Sequence, residues 1–235
     1  MAAGTRETAV IVGAGRGLSA SLARLLAKEG FNVALAARNT AKLAALVSET
    51  GAQAFTCDAV DALQVEALFQ SVDRQWGIPD LVVFNAGFRV RGPLVELEPS
   101  KVQQTLMASG FAGFLVAQAA ARRMVPRGRG AIFLTGASAS VKGYANSAPF
   151  AMGKFALRGL AQSLARELSP KGIHVAHFVI DGAIRQGDDD ARVAERGEDG
   201  VLLPDEIAKS YLHVYRQHRS AWSSEIELRP WVEKF

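Results

Sequence analysis

The chain has 235 residues, 49% of them hydrophobic and 21% charged, and its formal net charge at pH 7 is +4. This length suits one large core, and dispersed basic residues without interleaved aromatics argue against a nucleic-acid-binding surface. No apolar run reaches membrane-spanning length, residues 1–7 lack the apolar core of a signal peptide, and Cys57 is the only cysteine. We therefore expect a single-domain cytoplasmic protein, residues 1–235, without a disulfide, a metal site or a membrane segment.

The stretch from residue 8 to residue 38 predicts a strand, a glycine turn, a helix and a second strand. Residues 9–12 form a short apolar run, which is typical of a strand buried on both faces. Residues 18–28 carry leucines at helical spacing, and residues 31–36 form a second apolar run. This order of elements is typical of a unit that holds a dinucleotide.

Three glycines, Gly13, Gly15 and Gly17, stand between the first strand and the helix that begins at Leu18. Glycine accepts a positive φ and lets a ligand approach where a Cβ would clash. The start of a helix presents free N–H groups and partial positive charge, which suit a phosphate. We expect residues 8–38 to cradle the phosphates of a dinucleotide; a tight turn without a ligand is the alternative.

The rest of the chain alternates helices with strands. Helices are predicted at residues 40–50, 62–76, 100–125, 147–168 and 204–218, and strands at residues 52–57, 80–84, 130–135, 172–180 and 224–228. This alternation predicts an α/β fold of Rossmann type, a doubly wound parallel sheet of about seven strands with helices on both faces. Residues 186–200 are polar and are predicted to form a mobile loop.

Polar residues follow the predicted third and fourth strands. Asp58 comes after the third strand, where it can reach an adenine ring or only cap a turn. Asn85, Ala86 and Gly87 come after the fourth, and the Asn85 amide can bond the backbone of neighbouring strands. Cys57 is interpreted as a buried strand residue.

The end of the second strand indicates which dinucleotide binds. A carboxylate there would bond the ribose hydroxyls of NAD(H), but this chain has Ala37 followed by Arg38, and Arg16 lies in the glycine turn. Arginine binds phosphate through two parallel hydrogen bonds and stays charged. We therefore expect NADP(H) rather than NAD(H), and two plain surface arginines are the alternative.

The segment GAGRGLS, residues 13–19, resembles the TGxxxGxG cofactor loop of the short-chain dehydrogenase/reductase family, with Val12 in place of the threonine and Ser19 in place of the last glycine. The NAG of residues 85–87, Lys154 and the sixth strand add to a resemblance that extends from residue 8 to about 229. It implies an NAD(P)-dependent oxidoreductase in which NAG lies beside the adenosine of the cofactor and Lys154 holds its ribose.

The resemblance also assigns the segment after the sixth strand. Gly182 and Ile184 match the family pattern whose backbone fixes the nicotinamide carboxamide, whereas Asp181 replaces a proline and is interpreted as the cap of the following turn. Residues 181–235 are then the substrate-side and oligomer segment.

Three catalytic positions of the family differ in this chain. Phe150 stands where the family has the tyrosine that exchanges a proton, four residues before Lys154. Ala137 stands at the position of the serine that binds the substrate oxygen, and Ser109 at that of the asparagine. Phenylalanine has no proton to exchange, so only Lys154 carries its family role over.

Three interpretations stay open. The first is an oxidoreductase acting on a small carbonyl or alcohol, with Ser138, Ser140 or Tyr144 as a rearranged proton donor. The second is a catalytically inactive NADP(H)-binding protein that acts as a sensor or an oligomeric partner. The third is hydride transfer in which the substrate or water supplies the proton.

The small residues of helix 100–125 allow close helix approach, and the resemblance implies that this helix and the one near residue 150 build a homodimer or homotetramer. No nucleic-acid or membrane partner is expected. A basic group is interpreted as a solvated helix end, and the acidic residues 188–190 as solvated surface rather than a metal site. The basic group comprises Arg122, Arg123, Arg127 and Arg129.

Overall fold

The structure is a computed structural model that describes residues 6–187 and 189–233. Residues 1–7 were expected not to form a signal peptide, and residues 1–5 of that segment lie outside the described residues. Within the described ranges, no helix is long and apolar enough to cross a membrane. The same ranges contain no group of three or more His, Cys, Asp or Glu side chains that could hold a metal ion.

Seven parallel strands form the central sheet, which confirms the predicted fold. Their spatial order is β3, β2, β1, β4, β5, β6, β9, and every neighbouring pair runs parallel. These strands are β1 (Thr8–Val12), β2 (Asn32–Ala37), β3 (Gln53–Thr56), β4 (Leu81–Phe84), β5 (Gly130–Thr135), β6 (Ile173–Ile180) and β9 (Glu225–Leu228), and a separate ladder pairs β7 (Ala183–Ile184) with β8 (Val201–Leu202). A parallel sheet needs crossover helices on its faces, and the chain supplies them.

The helices cover both faces of the sheet. They are α1 (Leu18–Lys28), α2 (Ala44–Thr50), α3 (Ala62–Trp76), α4 (Pro99–Leu106), α5 (Ala112–Arg127), α6 (Ala148–Leu168), α7 (Ala191–Arg196) and α8 (Pro204–Tyr215). Alternate residues of β1 point to opposite faces: Val10 packs in one core with α3, α5 and α6, and Ile11 packs in the other with α1, α2 and α8. The ends of the predicted elements differ from the observed ones by at most three residues when the 3-10 turn Thr40–Leu43 is counted together with α2.

The helix predicted at residues 100–125 has a π-helical segment, Met107–Phe111, between α4 and α5. Its small residues serve packing within this chain, because a Cβ on Gly113 would lie 2.4 Å from Leu157 of α6. A Cβ on Gly110 would lie 3.0 Å from Ala156. The π-helical segment contains Ser109, the family asparagine position, and such segments often lie at functional sites.

The prediction of a mobile loop at residues 186–200 was wrong. The segment contains α7, and Asp190 caps that helix by accepting a hydrogen bond from the Arg192 amide. Asp190 also pairs with the Arg192 guanidinium at 2.6 Å, which holds the pKa of that carboxyl well below its usual range. Asp190 is therefore a structural cap rather than solvated surface, while Asp188 lies outside the described residues.

The interpretation of the basic group as a solvated helix end fits Arg122 and Arg129, which are exposed, but was wrong for Arg123 and Arg127. The Arg123 side chain is 13% exposed and pairs with Glu66 at 2.8 Å and with Asp73 at 2.6 Å. Arg127 pairs with Asp80 at 3.1 Å. These two arginines fasten α5 to α3 and to the start of β4, because partly buried cations need such partners.

Candidate functional site

Two neighbouring cavities lie at the carboxyl ends of the strands, where open parallel sheets bind ligands. Cavity A, about 410 Å³, is bounded by residues 12–14 after β1, residues 36–39 after β2 and residues 57–60 after β3. Cavity B, about 660 Å³, is bounded by residues 135–138 after β5 and by the segment after β6. Residues 85–88, which include the NAG, line both cavities. One elongated ligand can therefore occupy both.

The glycine turn holds its backbone against β4 and leaves its outer side open. Gly13 has φ +87°, and a Cβ there would lie 2.4 Å from the Ala86 nitrogen. Nothing lies within 4 Å of a Cβ on Gly15. Gly17 precedes α1 without capping it through a side chain, so the first N–H groups at Leu18 stay available. This open cradle fits the pyrophosphate of a dinucleotide.

A chain of two hydrogen bonds ties the turn to the NAG. The Asn85 amide donates to the Ser19 hydroxyl at 2.8 Å, and that hydroxyl donates to the Gly13 carbonyl oxygen at 3.1 Å. The predicted bond from Asn85 to the backbone of a neighbouring strand is made by its main-chain N–H, which donates to the Val12 oxygen at 2.8 Å. The side-chain amide donates instead to Ser19, which stands in place of the family glycine.

Cavity A contains one of the two arginines predicted to choose the cofactor. Arg38 lines it together with Lys42, a cation that the sequence reasoning missed although it lies four residues further along. Arg16 is exposed in the turn, and within the described residues it lies outside the walls of both cavities. Asp58 lines cavity A and also accepts a hydrogen bond from the Val60 amide at 3.3 Å, so both of its interpretations fit.

Cys57 also lines cavity A and is 3% exposed, just after the end of β3. Burial raises the pKa of its thiol to about 11. The thiol therefore stays protonated and unreactive at neutral pH.

Lys154 lies on the wall of cavity B, with 7% of its surface exposed. Its ammonium donates to the Thr135 carbonyl oxygen at 2.7 Å, and burial lowers the pKa of Lys154 to about 8. The hydroxyls of Thr135 and Tyr211 lie 2.9 Å apart behind it. The lysine is thus held at a fixed place beside the cavity.

The residues at the other family positions surround Lys154 without offering a phenol. The Phe150 ring lines cavity B, with the Lys154 nitrogen 5.9 Å from its centre. Ala137 lines it too. Ser109 is fully buried, and its hydroxyl has no hydrogen-bond partner within residues 6–187 and 189–233.

The family model for short chain dehydrogenase matches residues 7–185. This chain belongs to the short-chain dehydrogenase/reductase family. A short-chain dehydrogenase from Rhodopseudomonas palustris is 36% identical, with a TM-score of 0.83 over 96% of this chain and 99% of that one. A metagenomic short-chain oxidoreductase in complex with NADP is 27% identical, with a TM-score of 0.82 over 95% of this chain and 97% of that one. The Escherichia coli (strain K12) cyclic-di-GMP-binding biofilm dispersal mediator protein is 34% identical over 74% of this chain and 72% of its own.

Two of the proton donors considered for this short-chain dehydrogenase line cavity B. Ser138 and Tyr144 lie on its wall, and Tyr144 is 45% exposed. Ser140 is fully buried in the turn after β5, where its hydroxyl accepts a hydrogen bond from the Ala137 amide. Ser140 therefore serves the turn rather than the cavity.

The segment after β6 completes cavity B, and its Asp181 differs from the expectation. Gly182 and Ile184 line the cavity, as does Asp181, whose side chain is 7% exposed. Instead of capping a turn, the Asp181 carboxylate faces two cations, Lys142 and Arg229, each at 3.5 Å. The sequence reasoning missed this role because the partners lie far apart in the chain.

Proposed function

We propose that the protein is an NADP(H)-dependent oxidoreductase that moves a hydride between the cofactor and a small carbonyl or alcohol. Family membership and the NADP-bound metagenomic relative support the reaction class and the cofactor. The observation that carries the proposal is the pair of joined cavities, with Arg38 and Lys42 at one end and Lys154 at the other.

The cofactor lies along both cavities in this proposal. Arg38 and Arg16 bind the phosphate on the adenosine ribose, with Lys42 beside Arg38 in cavity A. Lys154 binds the other ribose, and when bound the nicotinamide supplies or accepts the hydride. The remaining contacts come from backbone or short side chains, at Gly13, Gly15, Gly17, Leu18, Asp58, Asn85, Ala86, Gly87, Gly182 and Ile184.

Tyr144 is the proposed proton donor, since it is the phenol on the wall that Lys154 and Phe150 share. The Lys142 nitrogen lies 5.8 Å from the centre of the Tyr144 ring, and the neighbouring Tyr144 hydroxyl raises the pKa of Lys142 above its ordinary value. Lys142 and Tyr144 thus supply together what the family takes from its tyrosine and lysine.

Asp181 fixes this pair. Its buried carboxylate lies 3.5 Å from the Lys142 nitrogen, so the ammonium is held between the carboxylate and the phenol. During reduction, the Tyr144 hydroxyl passes its proton to the substrate oxygen as the hydride reaches the carbon. Lys142, 40% exposed, returns a proton to the phenolate and recovers one from water. Ser138, on the same wall, hydrogen-bonds the substrate oxygen.

A non-catalytic NADP(H)-binding sensor is the second candidate. The absence of a hydroxyl at both Phe150 and Ala137 favours it. The name of the Escherichia coli relative, which describes binding rather than turnover, also favours it.

We also propose a cytoplasmic homodimer or homotetramer built by α5, α6 and the π-helical segment. Four large apolar side chains on these elements are 41–49% exposed: Phe111, Phe114, Met152 and Phe155. Apolar patches of this kind mark interaction surfaces. Light scattering that gives a monomer at micromolar concentration would contradict the oligomer.

Incubation with NADPH and a panel of aldehydes and ketones, followed through the nicotinamide absorbance, tests the proposed function. We expect at least one panel member to consume NADPH, and Tyr144→Phe to slow that consumption by about 10²–10⁴-fold. Saturable NADPH binding without turnover across the panel would favour the sensor, and absent binding would contradict both candidates.

A further inference from the structure

The wall of cavity B carries more positive than negative charge. Its acidic side chains are Asp181 and Glu233. Its basic side chains are Arg89, Arg91, Lys154, Arg192 and Arg196. Such an excess around a closed-in space raises the local concentration of anions.

Several of these charges are already compensated. Asp181 faces Lys142 and Arg229, and Glu233 lies 3.7 Å from Arg196. Arg192 pairs with Asp190 and donates to the Ile184 oxygen. The acids of the wall are thus engaged with cations other than Arg89 and Arg91.

Arg89 and Arg91 are, together with Lys154, the wall cations that no carboxylate of the described residues compensates. Within residues 6–187 and 189–233, no carboxylate lies within ion-pair distance of either guanidinium. The Arg89 guanidinium instead covers the Phe150 ring, with its carbon 4.6 Å from the ring centre. Both arginines are exposed, and partial desolvation together with the neighbouring charge of Arg91 lowers the pKa of Arg89. An anion bound here would offset the repulsion between the two guanidiniums.

The two arginines lie on the substrate side of the site. Arg89 and Lys154 are both within 6 Å of the Phe150 ring centre, so a short molecule can reach both. Cavity A, which holds the cations for the phosphorylated end of the cofactor, contains neither Arg89 nor Arg91. The charge at Arg89 and Arg91 is therefore available to a second ligand.

We propose that the substrate is an anion, and that Arg89 and Arg91 bind its carboxylate or phosphate while its carbonyl lies against Tyr144. Arginine suits this task because its planar fork matches both groups. The Phe150 ring supports the Arg89 guanidinium through a cation–π contact, with the guanidinium carbon 4.6 Å from the ring centre. This inference rests on the proposed function for the carbonyl step, but not for the anion site.

Matched substrates test the inference: acetoacetate against methyl acetoacetate, and pyruvate against methyl pyruvate. For a pair that the protein reduces, we expect kcat/KM for the acid to exceed that for its methyl ester by at least about tenfold, because the arginines form charged hydrogen bonds with the carboxylate. Arg89→Met and Arg91→Met should remove this preference by raising KM for the acid, so that acid and ester react alike, and the NADPH affinity should stay the same. Arg166→Met, an exposed arginine of α6, is the matched control. Equal rates for acid and ester would overturn the inference.

Calorimetry separates this inference from the proposed function. The protein is titrated with malonate and with neutral malonamide, with and without saturating NADP⁺. We expect malonate to bind, and Arg89→Met and Arg91→Met to weaken this binding at least about tenfold. That result supports the anion site even if the protein reduces no ketone. The inference is overturned if malonate does not bind, or if the two variants weaken only NADP⁺ binding. A phosphate preference over malonate would identify the anion as a phosphate.

Discussion

The Arg89 guanidinium carbon lies 4.6 Å from the centre of the Phe150 ring, so a cation covers the side chain that stands in place of the family tyrosine. The Lys154 nitrogen lies 5.9 Å from the same ring centre. Both charges would favour ionisation of a phenol introduced there. The site therefore keeps the surroundings of a tyrosine but lacks its hydroxyl.

Phe150→Tyr should increase turnover. The new phenol would lie near Lys154 and could exchange a proton with the substrate, a contribution of about 10²-fold or more in typical enzymes. Steady-state NADPH oxidation with an active panel member measures the change. Phe155→Tyr, on an exposed part of α6, is the matched control and should leave turnover unchanged. Equal turnover of both variants and the wild type would show that a phenol at residue 150 has no catalytic use in this cavity.

Tyr144→Phe should lower kcat by about 10²–10⁴-fold, because it removes the proposed proton donor. The NADPH dissociation constant should stay unchanged, since Tyr144 is proposed to contact substrate. Tyr215→Phe is the control: that hydroxyl bonds Glu7 and lies outside the walls of both cavities. An unchanged kcat in Tyr144→Phe would exclude the phenol.

Arg38→Ala and Arg16→Ala together should weaken NADPH binding by about 10–100-fold, because each removes charged hydrogen bonds to the phosphate. NADH binding should change little, so the variant loses its preference for NADPH. Fluorescence titration with both nucleotides measures this. Arg74→Ala, an exposed arginine on α3, is the control. The account is wrong on this point if the wild type binds NADH more tightly, or if the double variant keeps its NADPH affinity.

Acid should destabilise the fold through His177. This residue is 1% exposed beside Glu225, and burial lowers the pKa of His177 to about 4. In the unfolded chain it titrates near 6.5, so the unfolded state takes up the proton first as the pH falls. The stability is therefore complete above pH 6.5 and is lost towards pH 4, by up to about 3 kcal/mol.

Urea unfolding between pH 4 and pH 7 measures this loss. His177→Gln should flatten the pH dependence of the unfolding free energy, although His174, whose pKa burial also lowers, keeps part of it. His213→Gln, exposed on α8, should leave the slope unchanged. The same slope in His177→Gln and in the wild type would show that another group causes the acid sensitivity.

The sequence was sufficient for the fold because its signals are local. The apolar run before Gly13 and the leucines of α1 specify a strand and a helix through their own spacing. The need for glycine at residue 13 was predicted from its place in the turn, and the structure gives the reason, because a Cβ there would lie 2.4 Å from the Ala86 nitrogen.

The parts of the site that sequence reasoning missed depend on contacts between distant segments. Lys142 meets Asp181 across 39 residues, and neither a motif nor a period connects them. Arg123 was misread for the same reason, since its partner Glu66 lies 57 residues away. The Asn85 bond to Ser19 has no counterpart in the family pattern, because that pattern has a glycine without a hydroxyl at this position.

A crystal structure with NADP⁺ tests the central claim most directly. We expect the phosphate of the adenosine ribose between Arg38 and Arg16 beside Lys42, the pyrophosphate over residues 15–18, and the nicotinamide in cavity B near Lys154. The Tyr144 hydroxyl should then face the open side of the ring. A nucleotide bound outside the two cavities, or a nicotinamide that cannot enter cavity B, would contradict the account.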